Sequence, residues 1–237
     1  RGMVKLPTSR EADVSAFLRK VSETSALTAG TPGKRGRLIF AMDATASREP
    51  TWDQACQIQG EMFSETLTLG GLEVQLIFYR GFGECRASKW VPNAKELLRL
   101  MTSVRCRGGQ TQIAKVLDHA KREAELGKVN ALVFVGDALE EDIDRVCHKA
   151  GKLGLLGVPM FLFHEGGDPV AERGFRELAR LTGGAYCPFD AGSAQQLRDL
   201  LSAVAVYAAG GRRALITYGN SKGENVSRLT RQIAGKG

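Results

Sequence analysis

The sequence predicts an α/β fold, a three-layer sandwich whose mostly parallel central sheet has one antiparallel edge strand and helices on both faces. Three observations carry this. The runs over residues 38–42, 131–135 and 158–163 are continuously apolar, as strands buried on both faces must be. Stretches of helical spacing alternate with them, giving the β and α order of a parallel sheet. Asp43 and Asp137 then close two of the runs, at the carboxyl ends of strands, where open α/β sheets bind ligands.

In chain order, residues 1–36 are polar and basic, with helical spacing over 11–20 (Val14, Phe17 and Leu18 on one side) and a breaker-rich stretch over 28–36. They read as an N-terminal basic arm. A first strand over 37–42 leads to a helix over 52–67, which Gly70-Gly71 stops. Strands over 73–79 and 84–90 are joined by residues 80–83 alone, too short a link for a parallel crossover, so they form an antiparallel hairpin. A helix over 93–102, a Gly-containing loop over 103–110 and a helix over 112–126 follow. The remainder alternates: strand 130–136, helix 142–151, strand 158–164, helix 170–181, strand 185–187 and helix 193–207. The domain is expected over 37–208, with 209–237 a basic C-terminal extension ending in a weakly amphipathic stretch over 224–233.

Composition narrows the class of function. With 237 residues, 43% of them hydrophobic and 25% charged, the chain has enough apolar mass for one well-packed domain and too few like charges for disorder. Its apolar runs fall far short of the roughly 20 residues a bilayer span needs, and no charged-then-apolar leader opens it. Cys56, Cys85, Cys106, Cys147 and Cys187 are odd in number and lack a C-x-x-C pair, which predicts reduced thiols and a cytoplasmic location. The net charge of +7 suits acidic partners or nucleic acid, although Lys and Arg are spread along the chain.

The chemistry gathers at three places: Asp43-Ala44-Thr45-Ala46-Ser47 after the first strand, Gly108-Gly109-Gln110-Thr111 before a helix, and Gly136-Asp137 after a buried strand. Alternate spacing in D-x-T-x-S turns three oxygen-bearing side chains toward one point. Thr111 and Asp137 raise the set to five oxygen donors with no nitrogen or sulfur, which selects a hard cation such as Mg²⁺, with Mn²⁺ and Ca²⁺ served by the same oxygens. Only two of the five are charged, so a divalent ion is underneutralised and keeps a position for an acidic group from outside.

These residues, in this order and strand context, resemble the metal-ion-dependent adhesion site (MIDAS) of the von Willebrand factor A (VWA) family, which has a Rossmann-like fold. The family motif is D-x-S-x-S, then a Thr in a loop, then an Asp in a T-D-G-like turn; here Thr45 stands for the commoner Ser and Ala138 for the usual Gly, and neither change removes a ligand. The resemblance spans about residues 36–208. It implies that the Ser and Thr hydroxyls bind the metal directly, that Asp43 and Asp137 act through water, and that a carboxylate of a protein partner completes the octahedron. It also implies an intracellular bacterial protein working beside an AAA+ ATPase or in a stress-response system. Arg105, Arg107 and Gln110, shortly before Thr111, and His164, at a strand end, are the candidate partner-facing residues, with solvated loop charges the competing reading for the arginines and a structural hydrogen bond that for His164.

Other readings of these residues carry less. Composition alone yields D-x-[ST]-x-S in roughly one chain in ten, so the strand context, Thr111 and Asp137 carry the assignment. Helix capping explains the Asp, Thr and Ser but not the later residues, and is compatible with metal binding. Gly219-Asn220-Ser221-Lys222-Gly223 matches G-x-S-x-G, yet His119, His148 and His164 all precede it, the wrong order for that hydrolase, so it reads as a turn. Gly30, Gly33 and Gly36 precede the first strand, where no dinucleotide loop belongs. No base or nucleophile accompanies the five oxygens, which points to a binding module, not an enzyme; hydrolysis by Mg²⁺-activated water lacks a general base. The alternative function is nucleic-acid or ribonucleoprotein binding through the basic surface.

Overall fold

A computed structural model describes residues 35–67, 70–190 and 194–221. The predicted helical stretches over 11–20 and 224–233 lie outside these. Six strands form one sheet in the order β3-β2-β1-β4-β5-β6: β1 (Gly36–Asp43), β2 (Leu72–Arg80), β3 (Glu84–Val91), β4 (Ala131–Gly136), β5 (Met160–Glu165) and β6 (Ala185–Phe189). All neighbours are parallel except β2 and β3, which form the predicted antiparallel hairpin at one edge. The fold is the predicted α/β sandwich.

Each buried strand alternates between two cores. Leu38, Phe40 and Met42 of β1, with Val133 and Val135 of β4, face a layer made by α1 (Glu49–Ile58), α2 (Gly60–Ser64), α3 (Ala94–Thr102) and α7 (Ala194–Ser221). Ile39, Ala41, Leu132 and Phe134 face α4 (Ile113–Leu126), α5 (Ile143–Leu155) and α6 (Pro169–Thr182). Both sides of the strands are therefore dry, which is why the sequence shows runs and not alternation. At roughly 1.5–3 kcal/mol per fully buried large apolar side chain, this is what holds the sheet edge still enough to present a site.

Two helices differ from expectation for readable reasons. The first begins at Glu49, straight after a 3₁₀ turn at Ala46–Arg48, because Pro50 fits the first helical turn, and it breaks at Gln59-Gly60. The last runs to Ser221 instead of ending near 207: only Gly211 leaves the helical region (φ 72°, ψ −166°), making a kink, and Leu215 beyond it returns to the core. Gly219, Asn220 and Ser221, read as part of a turn, close this helix. Helix α7 crosses β1 so tightly that a Cβ on Gly36 would lie 2.3 Å from the Ala208 carbonyl oxygen.

Candidate metal centre at the β1 and β4 strand ends

The sheet order places β1 beside β4, while the chain leaves β1 toward β2 and β4 toward β5. Connections diverge at this point and open a crevice above the two carboxyl ends. Asp43 is the last residue of β1 and Asp137 follows the last of β4. Both predicted carboxylates therefore stand at the switch point of the sheet.

The loop after β1 folds back on itself and reaches Asp137. The Thr45 amide donates to Asp43 Oδ1 at 2.7 Å, and the Ser47 hydroxyl donates to Asp137 Oδ2 at 3.1 Å. Asp43 is buried, Thr45 half-buried and Ser47 exposed, so the set runs from the sheet outward to solvent. Burial pushes the Asp43 carboxyl up to about 6; the bonds from Thr45 oppose that rise, Asp137 adds to it, and Arg48 opposes it.

The third segment is held by both other loops. The Arg107 amide donates to the Ala44 carbonyl at 2.9 Å, tying the 103–110 loop to the Asp43 loop. Buried Thr111 exchanges two bonds with Glu140: its amide donates to Glu140 Oε2 and its Oγ1 accepts from the Glu140 amide, each at 3.0 Å. Glu141 accepts from the amides of Ile113 (2.6 Å) and Ala114 (2.9 Å). It thereby caps α4, whose own N-cap residue Gln112 makes no side-chain cap bond and whose first turn has no acidic residue.

Three residues that hold these loops, Arg48, Glu140 and Glu141, were not legible in the sequence. Arg48, next to Ser47, is 1% exposed. Its guanidinium stands 3.8 Å from Asp137 Oδ2 and pairs closely with Glu165 at the end of β5, which also accepts from the Thr51 hydroxyl. A buried arginine is the exception to composition rules, and nothing in the order Ser47-Arg48-Glu49 announces it. Glu140 and Glu141 escape notice for another reason: they hold backbone amides, which no motif records.

The expected partner-facing residues divide. Arg105, Arg107 and Gln110 are exposed on the loop that leads to Thr111. His164 is a correction: it is 1% exposed, hydrogen-bonded through Nδ1 to the Tyr186 hydroxyl at 2.8 Å and edge-on to Phe175, so it packs behind the site and does not face a partner. Burial lowers its pKa. None of the five cysteines forms a disulfide, and burial pushes the thiols of Cys56, Cys85 and Cys106 up to about 11, which leaves them poor nucleophiles.

As a donor set, Asp43, Thr45, Ser47, Thr111 and Asp137 fit a hard divalent cation: all are oxygens, two are carboxylates, and one face is open to solvent. Among the described residues no group of three or more His, Cys, Asp or Glu is placed to hold a metal, so any ion here depends on the hydroxyls.

No protein-family profile matches the sequence, and no curated protein matches it. Solved structures do. The pilus adhesin SpaC of Lactobacillus rhamnosus GG, in its open conformation, matches with a TM-score of 0.59 at 10% identity, over 80% of this chain and 31% of that one. The SpRpn10 VWA domain matches with a TM-score of 0.54 at 14% identity, over 70% of this chain and 94% of that one. Proximal thread matrix protein 1 from the mussel byssus, with its MIDAS motif occupied by zinc, matches with a TM-score of 0.58 at 16% identity, over 73% of this chain and 48% of that one. The chain thus spans about a third of the adhesin and about half of the byssus protein. At such identities the likeness is one of fold, and that fold is the VWA sandwich.

Proposed function

We propose that this chain is a metal-dependent protein-binding module, in which Asp43, Thr45, Ser47, Thr111 and Asp137 hold one divalent cation for an Asp or Glu of a partner protein. A bound Mg²⁺ supplies an open coordination position that the partner's carboxylate fills. The observation that carries the reading is the meeting of three distant segments, through the Ser47–Asp137 bond, the Arg107–Ala44 bond and the Thr111–Glu140 pair. In this reading the residues bind and orient the ion and the partner's carboxylate.

The roles divide by burial. Asp43 and Asp137 supply the negative charge, with Asp43 set by the sheet and Asp137 by Ser47 and Arg48. Thr45, Ser47 and Thr111 supply neutral oxygens, which leave the ion short of charge and ready for an outside anion. Mg²⁺ is the preferred occupant on this donor chemistry, and Mn²⁺ or Ca²⁺ suit the same oxygens. Zinc in the byssus protein's site marks a further metal to try. A cytoplasmic bacterial setting beside an AAA+ ATPase or a stress-response system belongs to the same reading, carried by the family resemblance. Among the described residues no helix is long and apolar enough to cross a membrane.

The test is thermal. Ligands that bind the folded state raise its melting temperature by mass action, so Mg²⁺ raises that of the wild type and leaves Asp43→Ala unmoved. A partner that binds equally well after chelation with EDTA overturns the bridging role. Binding that is steeply salt-dependent and indifferent to chelation transfers the reading to nucleic acid.

A further inference from the structure

Phe82 is 82% exposed at the tip of the β2–β3 hairpin, between Gly81 and Gly83. Neither packing nor turn chemistry asks for a phenyl ring there. Turns favour Gly, Asn, Asp and Ser, and Gly81 (φ 60°) supplies the left-handed conformation this one uses. Of the other strongly exposed apolar residues, Leu126 and Leu155 end α4 and α5 at the opposite edge of the sheet and Leu67 precedes β2, while Val170, 53% exposed, begins α6 after the carboxyl end of β5. Phe82 stands at the carboxyl edge, with the candidate metal centre.

The tip is fastened to the loop that carries Thr111. The Gly81 carbonyl accepts from the Gln110 amide at 3.0 Å, and the Gly83 carbonyl accepts from Lys115 Nζ at 2.9 Å. A Cβ on Gly109 would lie 2.0 Å from the Gly81 oxygen, so the two loops are in direct backbone contact. Arg105 and Arg107 are exposed on the same loop. An exposed aromatic ring on a fastened backbone turn therefore shares one rim with two cations and the proposed metal ligands, the mixture of aromatic anchor and Arg that marks binding hot spots.

We infer that Phe82 is the apolar contact of the partner surface, and that the partner is an acidic protein segment with an apolar side chain next to the carboxylate that meets the metal. This deepens the function proposed above and rests on it. The cations exclude a basic segment, and the ring rewards an apolar neighbour of the acid over a polar one.

The experiment uses the full chain, ¹⁵N-labelled, with Mg²⁺ present, and two blocked peptides, acetyl-Gly-Leu-Asp-Leu-Gly-amide and acetyl-Gly-Ser-Asp-Ser-Gly-amide. The leucine peptide is expected to bind about fivefold or more tightly than the serine peptide and to shift the amide signals of Phe82, Gly83 and Gln110. Phe82→Ser removes that advantage while leaving the serine peptide's affinity and the Mg²⁺-induced rise in melting temperature unchanged. Equal affinities in a protein that responds to Mg²⁺, or an advantage that survives Phe82→Ser, overturn the inference. So does the variant losing only binding to anionic lipid vesicles, which makes the ring a membrane contact. A wild type whose melting temperature ignores Mg²⁺ sinks the metal reading instead, so the two fail separately.

Discussion

The loop after β1 is fastened by a buried cation, whereas the loop before α4 is fastened by carboxylates. On the first flank Arg48 lies beneath the ligands, against Asp137 and Glu165, out of water. On the second, Glu140 and Glu141 accept from the amides of Thr111, Ile113 and Ala114. The difference matters because buried charge and backbone bonds fail in different ways. An ion pair that loses one partner leaves a stranded charge, while a carboxylate cap that is lost leaves neutral amides without an acceptor.

The comparison is broken most directly at Arg48. Arg48→Met leaves the half-buried Glu165 with the Thr51 hydroxyl but without its counter-ion, and is expected to cost about 3 kcal/mol in urea unfolding, the low end for a buried pair. Arg48→Met combined with Glu165→Met is expected to recover most of this, because the stranded charge goes too. A single variant that costs no more than a surface substitution makes the pair incidental.

The next effect is one of pH and belongs to the first flank alone. Burial raises Asp43 to about 6. Between its unfolded value and 6 the folded chain holds a proton that the unfolded chain has released, so this contribution favours the fold at low pH. It is lost as pH rises through 6, on the order of 1–3 kcal/mol. Arg48 opposes the shift and Asp137 supports it. Mg²⁺ competes with that proton, so its stabilising effect is expected to be weak near pH 5 and full above about pH 7. Melting curves with and without Mg²⁺ at the two values measure it, and a pH-independent Mg²⁺ effect removes Asp43 from the ligand set.

The smallest effect falls on the second flank. Glu141→Ala removes both bonds at the start of α4 and is expected to cost about 1–2 kcal/mol, a capping-sized loss. It should also loosen Thr111 and weaken Mg²⁺ binding severalfold, read by calorimetric titration. Unchanged stability and affinity place the hold on Thr111 in Glu140 alone.

Legibility followed the physics of each feature. The strands were readable because burial on both faces forces continuous apolar runs, as at residues 38–42 and 131–135. The hairpin was readable because residues 80–83 are too few for a crossover. Asp43, Thr45, Ser47 and Asp137 stood out as oxygens following strands and Thr111 as one in a loop before a helix, and the segments that carry them are joined by hydrogen bonds, while their role as ligands is the proposal. Arg48 was not, since sequence rules place arginine on the surface. At a strand end His164 admits both a ligand-facing and a structural hydrogen-bonding role, and the structure gives the latter, with the ring in the core between Phe175 and Tyr186. The final helix was cut at Gly210-Gly211 on local propensity, which packing of Leu215 overrode.

The claim that three loops make one cation site is tested most directly with a paramagnetic ion. Mn²⁺ titrated into ¹⁵N-labelled protein is predicted to broaden the amide signals of Asp43 to Ser47, Thr111 and Asp137 together and before any others. Excess Mg²⁺ should reverse the broadening, and Asp43→Ala should abolish it. Broadening confined to one of these loops, or centred elsewhere on the surface, contradicts the account.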